Sequence, residues 1–139
     1  MSLQEQNKAV VRRYQEIYNS NNLDALPEDL SPDFKPHTLM PGVPPGLDGY
    51  KMLHHGSIAA YPDFHVAVED LIAEGDKVAM RFVITGTHTG APFLGIPAAG
   101  VKIRVTGVSI FRLANGKIVE HWGEEDAAGW LAQLGAMKM

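Results

Sequence analysis

Between Gln4 and Ser20 the apolar residues Val10, Val11, Tyr14, Ile17 and Tyr18 recur at helical spacing, with Gln, Arg and Glu on the opposite side. That period predicts an amphipathic helix with one buried stripe. Asn19-Ser20-Asn21-Asn22 ends it, because short polar side chains compete for backbone hydrogen bonds, and a short second turn follows over Leu23 to Leu30. Five prolines (Pro32, Pro36, Pro41, Pro44 and Pro45) then fall between Ser31 and Leu47. They exclude a central strand or a helix interior, so an irregular segment over the surface or a pocket mouth is expected. Asp48 can cap a further helix reaching about Ala60, with Met52, Leu53 and Ile58 toward the core, and Tyr61-Pro62-Asp63 stops it.

After that break the period changes from helical to alternating. Phe64, Val66 and Val68 alternate with His65, Ala67 and Glu69; Glu74-Gly75-Asp76 turns the chain; Val78, Met80, Phe82 and Ile84 alternate with Ala79, Arg81 and Val83. Two long antiparallel strands are predicted. A third runs from about Lys102 to Leu113, Asn115-Gly116 is a hairpin signal, and a fourth covers Lys117 to about Glu124. A short helix over Ala127 to Leu134, closed by Gly135, completes the chain. Helices first and a meander of long strands afterwards predict an α+β fold with helices against one face of an antiparallel sheet. Gly86, Gly107 and Gly123 permit bends, so the sheet is expected to curl around the helices and leave a concavity.

Composition narrows the function more than the fold. A chain of 139 residues with 45% hydrophobic and 20% charged residues suits one domain, residues 1–139, with its own core. There is no cysteine, which excludes thiolate metal sites and disulfides and fits a reducing compartment. The N-terminus lacks a signal-peptide pattern and no apolar run approaches the roughly 18 residues of a membrane span, so a cytoplasmic protein without a membrane partner is expected. A formal charge of −4 opposes nucleic acid binding.

Six histidines and many acids invite a test for metal ligands. No HExxH pattern or other ligand pair at helical spacing occurs, and adjacent His54 and His55 point apart on a helix, so no metal is expected. His54 and His55 read as surface residues, and His65 and His121 as outward-facing ones. Gly86-Thr87-His88-Thr89-Gly90 lacks the lysine and spacing of a phosphate loop, so no nucleotide cofactor is expected either. His37, in the proline-rich stretch, and His88, which shares parity with Met80, Phe82 and Ile84, are candidates to polarise a carbonyl. Tyr14, Trp122 and Phe82 are core aromatics that can also line a pocket. Asp126 reads two ways: a general base in apolar surroundings, or the N-cap of the helix that begins at Ala127. Glu124 shares its strand parity and is a second acid for the same cavity, or part of a solvated strand end with Glu125.

Several segments together resemble the SnoaL-like polyketide cyclase family of the nuclear transport factor 2-like superfamily. They are Tyr61-Pro62-Asp63-Phe64, Glu74-Gly75-Asp76-Lys77-Val78, the strand end Thr85 to Gly90, and the loop Phe93-Leu94-Gly95-Ile96-Pro97. Arg112 before Asn115-Gly116-Lys117-Ile118, Glu120 with Trp122 and Asp126, and Gln133-Leu134-Gly135 complete the set. The resemblance implies a cone-shaped α+β barrel, a homodimer, and cofactor-free aldol ring closure of a small apolar organic substrate in an internal pocket. It places the family's acid at Asp126; on the reading of the residues themselves, His37 or His88 would hold the enolate oxygen, with Tyr14, Phe82, Trp122 and Glu124 as candidate substrate contacts. A non-catalytic ligand-binding module on the same fold is the other reading.

Overall fold

The computed structural model describes residues 1–37 and 42–137. Helix α1 (Leu3–Asn19) starts where Ser2 Oγ accepts the Glu5 amide at 3.1 Å, and it buries Val10, Val11 and Tyr14 as the spacing predicts. A 3-10 turn (Leu23–Glu28) leads into strand β1 (Leu30–Pro36), and helix α2 spans Leu47–Ala60. Strands β2 (His65–Glu74), β3 (Lys77–Thr87), β4 (Lys102–Ala114) and β5 (Lys117–Glu125) form the meander, and α3 (Ala127–Gln133) follows. Among the described residues no helix is long and apolar enough to cross a membrane.

The sheet order is β1-β5-β4-β3-β2, antiparallel throughout except where β1 runs parallel to β5. Strand β1 corrects the expectation of an irregular segment. Pro32 and Pro36 remove two amide donors, but an edge strand pairs on one side only, so it accommodates them. Residues 38–41 of that stretch lie outside the described residues. Asn115 and Gly116 both take positive φ, 53° and 77°, the backbone that a tight two-residue hairpin requires.

Curvature comes from strand length and from register shifts, two of them within the meander. In β2 the pairing moves from Val68 opposite Phe82 to Asp70 opposite Arg81, so Glu69 is an extra residue. In β5 it moves from Ile118 opposite Leu113 to Glu120 opposite Arg112, so Val119 is extra. Each such bulge bends its strand and increases the local twist. Helix α1 packs against β2, β3 and β5, with Val11, Val78, Phe111 and Ile118 fully buried between them. The buried Asp29 carboxylate receives the Arg13 guanidinium, Nε to Oδ1 at 2.9 Å, while its carbonyl accepts the Ile118 amide at 2.8 Å. This one residue ties α1 to the start of β5.

Candidate active site

The concave face of the sheet carries cross-strand rows whose side chains decide the shape of the space under the helices. One row is Val78, Phe111 and His121; the next is Met80, Ser109 and Gly123; the third is Phe82, Gly107 and Glu125. Large residues fill the first row. Glycines at 107 and 123 let the neighbouring side chains lie close over the sheet: a Cβ on Gly107 would stand 2.3 Å from Phe82 Cζ, and one on Gly123 3.2 Å from His121 Nε2. Under the helices lies a cavity of about 450 Å³. Phe111, His121, Met80, Ser109, Phe82 and Glu125 of these rows form its floor. Tyr14, Gln15 and Tyr18 of α1, Tyr50 and Leu53 of α2, and Phe93 and Trp130 close it.

The wall on the far side is the loop from His88 to Val101. The His88 amide donates to Val101 and its carbonyl accepts from Gly100, both at 2.9 Å, while Gly90 and Ala91 donate to the carbonyls of Ala60 and Ala59. A Cβ on Gly90 would lie 1.9 Å from Ala59 O, so only glycine permits that approach. Phe93 then stacks on Trp130 with ring centroids 4.8 Å apart, and Trp130 Nε1 donates to the Tyr61 hydroxyl at 2.8 Å.

Two ionisable groups face this apolar space from β5. The His121 ring stacks on Phe111 and is held at both nitrogens: Nδ1 by the Tyr50 hydroxyl and Nε2 by Ser109 Oγ at 3.0 Å. Burial lowers its pKa to about 4, helped by the charge of His37, so it is neutral near pH 7. Glu125 borders the cavity at its rim: it is exposed to solvent on one side, and the protein on the other strips part of its hydration. That desolvation raises its carboxyl above the ordinary glutamate value. Burial likewise raises Tyr14 to about 12 and pushes Tyr18 and Tyr50 higher, so all three phenols remain protonated. A polar chain runs from Tyr50 through His121 to Ser109.

The residues singled out in the sequence are distributed around this site rather than gathered in it. Tyr14 and Phe82 line the cavity. Asp126 is exposed at the N-cap of α3, where Oδ1 accepts the Gly129 amide at 2.8 Å, and Glu124 is exposed on the outer face. Trp122 also lies on that outer face, where the His37 ring stacks on it at 4.7 Å and His37 Nε2 meets Glu120 Oε2 at 2.6 Å. Glu120 is further paired with Arg112, and the two hydrogen bonds, from His37 first and then Arg112, hold its carboxyl below the usual range. His88 is buried, but its Nε2 donates to the Ala91 carbonyl at 2.9 Å, so its ring fastens the loop and does not border the cavity.

The parity argument fails at a single residue. Val119 bulges out of β5, so the inward face passes from Ile118 to His121, Gly123 and Glu125 instead of to Glu120, Trp122 and Glu124. His121, expected to face outward, therefore faces inward. His54, expected at the surface, is buried with its ring edge-on to Tyr18 at 4.8 Å and its Nε2 on Asn21 Oδ1 at 3.0 Å. No residue type near Val119 marks the bulge, so Glu125 and His121 were hidden from an alternation count. Among the described residues no group of three or more His, Asp or Glu is placed to hold a metal ion.

Comparison with known proteins gives this geometry a context. The sequence pattern of the SnoaL-like polyketide cyclases matches residues 8–134. Nogalonic acid methyl ester cyclase of Streptomyces nogalater is 29% identical over 120 residues, covering 85% of this chain and 89% of that one. Among solved structures, TsrD of Streptomyces laurentii superimposes with a TM-score of 0.86 at 28% identity, covering 99% of this chain and all of the other. IdmH of Streptomyces antibioticus, a candidate polyketide cyclase, gives a TM-score of 0.82 at 33% identity over 94% of this chain and 99% of its own.

Proposed function

The chain belongs to the SnoaL-like polyketide cyclase family, and from that premise we propose that it closes a ring in a small, largely apolar carbonyl substrate by acid/base chemistry supplied by its own side chains. The observation that carries this reading is Glu125, a carboxyl with a raised pKa at the rim of an apolar cavity. The ionised carboxylate removes a proton from the carbon next to a carbonyl, and desolvation makes it a stronger base than glutamate in water. The enolate carbon then attacks a second carbonyl of the same molecule, forming a C–C bond. The resulting alkoxide takes back a proton from the Glu125 carboxyl, so the substrate is isomerised and the protein is unchanged.

The polar chain supplies the donor for the enolate oxygen. Tyr50, protonated and buried, donates to His121 Nδ1, which fixes the neutral imidazole with its proton on Nε2; that proton goes to Ser109 Oγ. The Ser109 hydroxyl is then free to donate into the cavity. In this reading Ser109 and Glu125 touch the substrate, and His121 positions Ser109. Glu125 and His121 stand four residues apart on one strand face, roughly 13 Å along β5, with glycine between them where a flat ligand can lie. We assign the acid/base role to Glu125 in preference to Asp126, whose carboxylate is used as a cap, and we propose a homodimer through the outer face of the sheet.

The test is turnover of nogalonic acid methyl ester, the compound for which the relative in Streptomyces nogalater is named. Glu125→Gln should lower turnover by roughly 10² to 10⁴ with little change in melting temperature, while Asp126→Asn, which can still cap, should leave it near wild type. Loss of turnover in Asp126→Asn with Glu125→Gln unaffected would return the role to Asp126.

A further inference from the structure

Gln15 borders the cavity from α1 and is only 5% exposed, yet its amide nitrogen has no hydrogen-bond partner among the described residues. Its neighbour one turn on shows the contrast. Asn19, on the same stripe of the helix, donates to the Val66 carbonyl at 2.8 Å and accepts the Val66 amide at 3.0 Å. That pair of hydrogen bonds fastens this face of α1 to β2, across the sheet from Glu125 on β5. The fold therefore pairs the nitrogen and the oxygen of one half-buried amide and leaves the nitrogen of a fully buried one wanting an acceptor. Buried polar groups in folded proteins are nearly always paired, and an exception in a residue that lines a cavity points to a partner that arrives with the ligand.

We propose that Gln15 is a specificity-determining residue, whose amide donates to an uncharged oxygen on the flank of the ligand that faces β2. This rests on the reading of the cavity as a substrate site. The class of ligand follows from the rest of the wall. Tyr14, Tyr18, Phe82, Phe93 and Trp130 favour a flat aromatic or conjugated body. The described wall contains no Lys or Arg, and Glu125 is its acid, so a carboxylate would lose its hydration without a counter-charge. A ketone, ester or phenol oxygen meets the Gln15 amide without that loss. The ligand is accordingly a neutral aromatic carbonyl compound with one oxygen at Gln15 and its reacting centre near β5.

The experiment uses two probes of nearly one shape, 9-fluorenone and fluorene, which differ by a carbonyl, with dissociation constants measured by equilibrium dialysis on the full chain and on Gln15→Met. Methionine keeps the length of the side chain and removes the amide. Wild type should bind fluorenone about five- to tenfold more tightly than fluorene, the span of one buried hydrogen bond, and Gln15→Met should bring the two within about twofold. The empty variant should melt no lower than wild type, because an apolar group replaces an unpaired buried donor. If both probes bind and the carbonyl preference is missing in wild type or survives in Gln15→Met, the assignment to Gln15 is overturned while the ligand cavity stands. A variant that unfolds or melts several degrees lower also overturns it, since the amide would then have a partner in the fold. If neither probe binds wild type, the reading of the cavity fails and this inference fails with it.

Discussion

His121 is an imidazole held in the neutral form by its surroundings, and that makes the stability of the whole chain depend on pH. Its folded pKa is about 4 against an ordinary 6.5, with desolvation as the main cause. Between those values the unfolded chain binds more protons than the folded one, so stability rises with pH across the window and is lost as pH falls from 6.5 toward 4. The full shift corresponds to about 3 kcal/mol. Glu125 works with the opposite sign, because a raised carboxyl keeps its proton in the folded state and its contribution falls as pH rises above the ordinary glutamate value. We expect the melting temperature of wild type to drop on going from pH 7 to pH 5 by clearly more than that of His121→Gln. Parallel curves for the two proteins would show that the imidazole is not the group that titrates. Neither residue was marked by its type, since glutamate and histidine on a strand are usually solvated; what distinguishes them is the cavity that both line.

At the scale of elements, α1, α2, the meander and the Asn115-Gly116 hairpin were legible because each repeats a period or carries a turn residue with one backbone use. Strand β1 and the inward face of β5 were not. Strand β1 exists because β5 offers it an edge, a relation between segments more than 80 residues apart that no local pattern of Ser31 to Pro36 encodes. The β5 bulge inverts parity for every later residue, and so moves the cavity acid from Glu124 or Asp126 to Glu125. Helix α3 shows what Asp126 does in exchange: seven residues of helix begin on its side chain. Asp126→Ala should cost about 1 kcal/mol in a denaturant titration and leave turnover largely intact. Gly107→Ala should do the reverse kind of damage. Its new Cβ would press on the Phe82 ring and stand 2.7 Å from the Glu124 carbonyl, so we expect about 1–3 kcal/mol of destabilisation together with weaker fluorenone binding as Phe82 is displaced into the cavity.

The two faces of the sheet divide the work of the molecule. The concave face is spent on the core and the cavity, and the outer face carries an unbroken row across four strands, Ile72 opposite Ala79, Ala79 opposite Ile110, and Ile110 opposite Trp122. Ile72, Val108 and Ile110 are 69%, 47% and 40% exposed. Apolar side chains of that size, adjacent on a gently curved surface, are characteristic of a face that meets another protein. Val83, which alternation places opposite Phe82, is already buried within the chain, so the contact we propose is centred on Ile110 and Val108 of β4. A two-fold pairing of identical faces would set this row against its own copy, with the His37 and Trp122 stack at its edge. We therefore expect light scattering at micromolar concentration to give about twice the chain mass of 15.1 kDa. Ile110→Lys, which puts a charge at the centre of the row without touching the cavity, should shift the protein to the monomer while its far-ultraviolet circular dichroism stays that of wild type. A wild-type protein that is already monomeric, or an Ile110→Lys protein that still elutes and scatters as a dimer, would exclude this face as the interface.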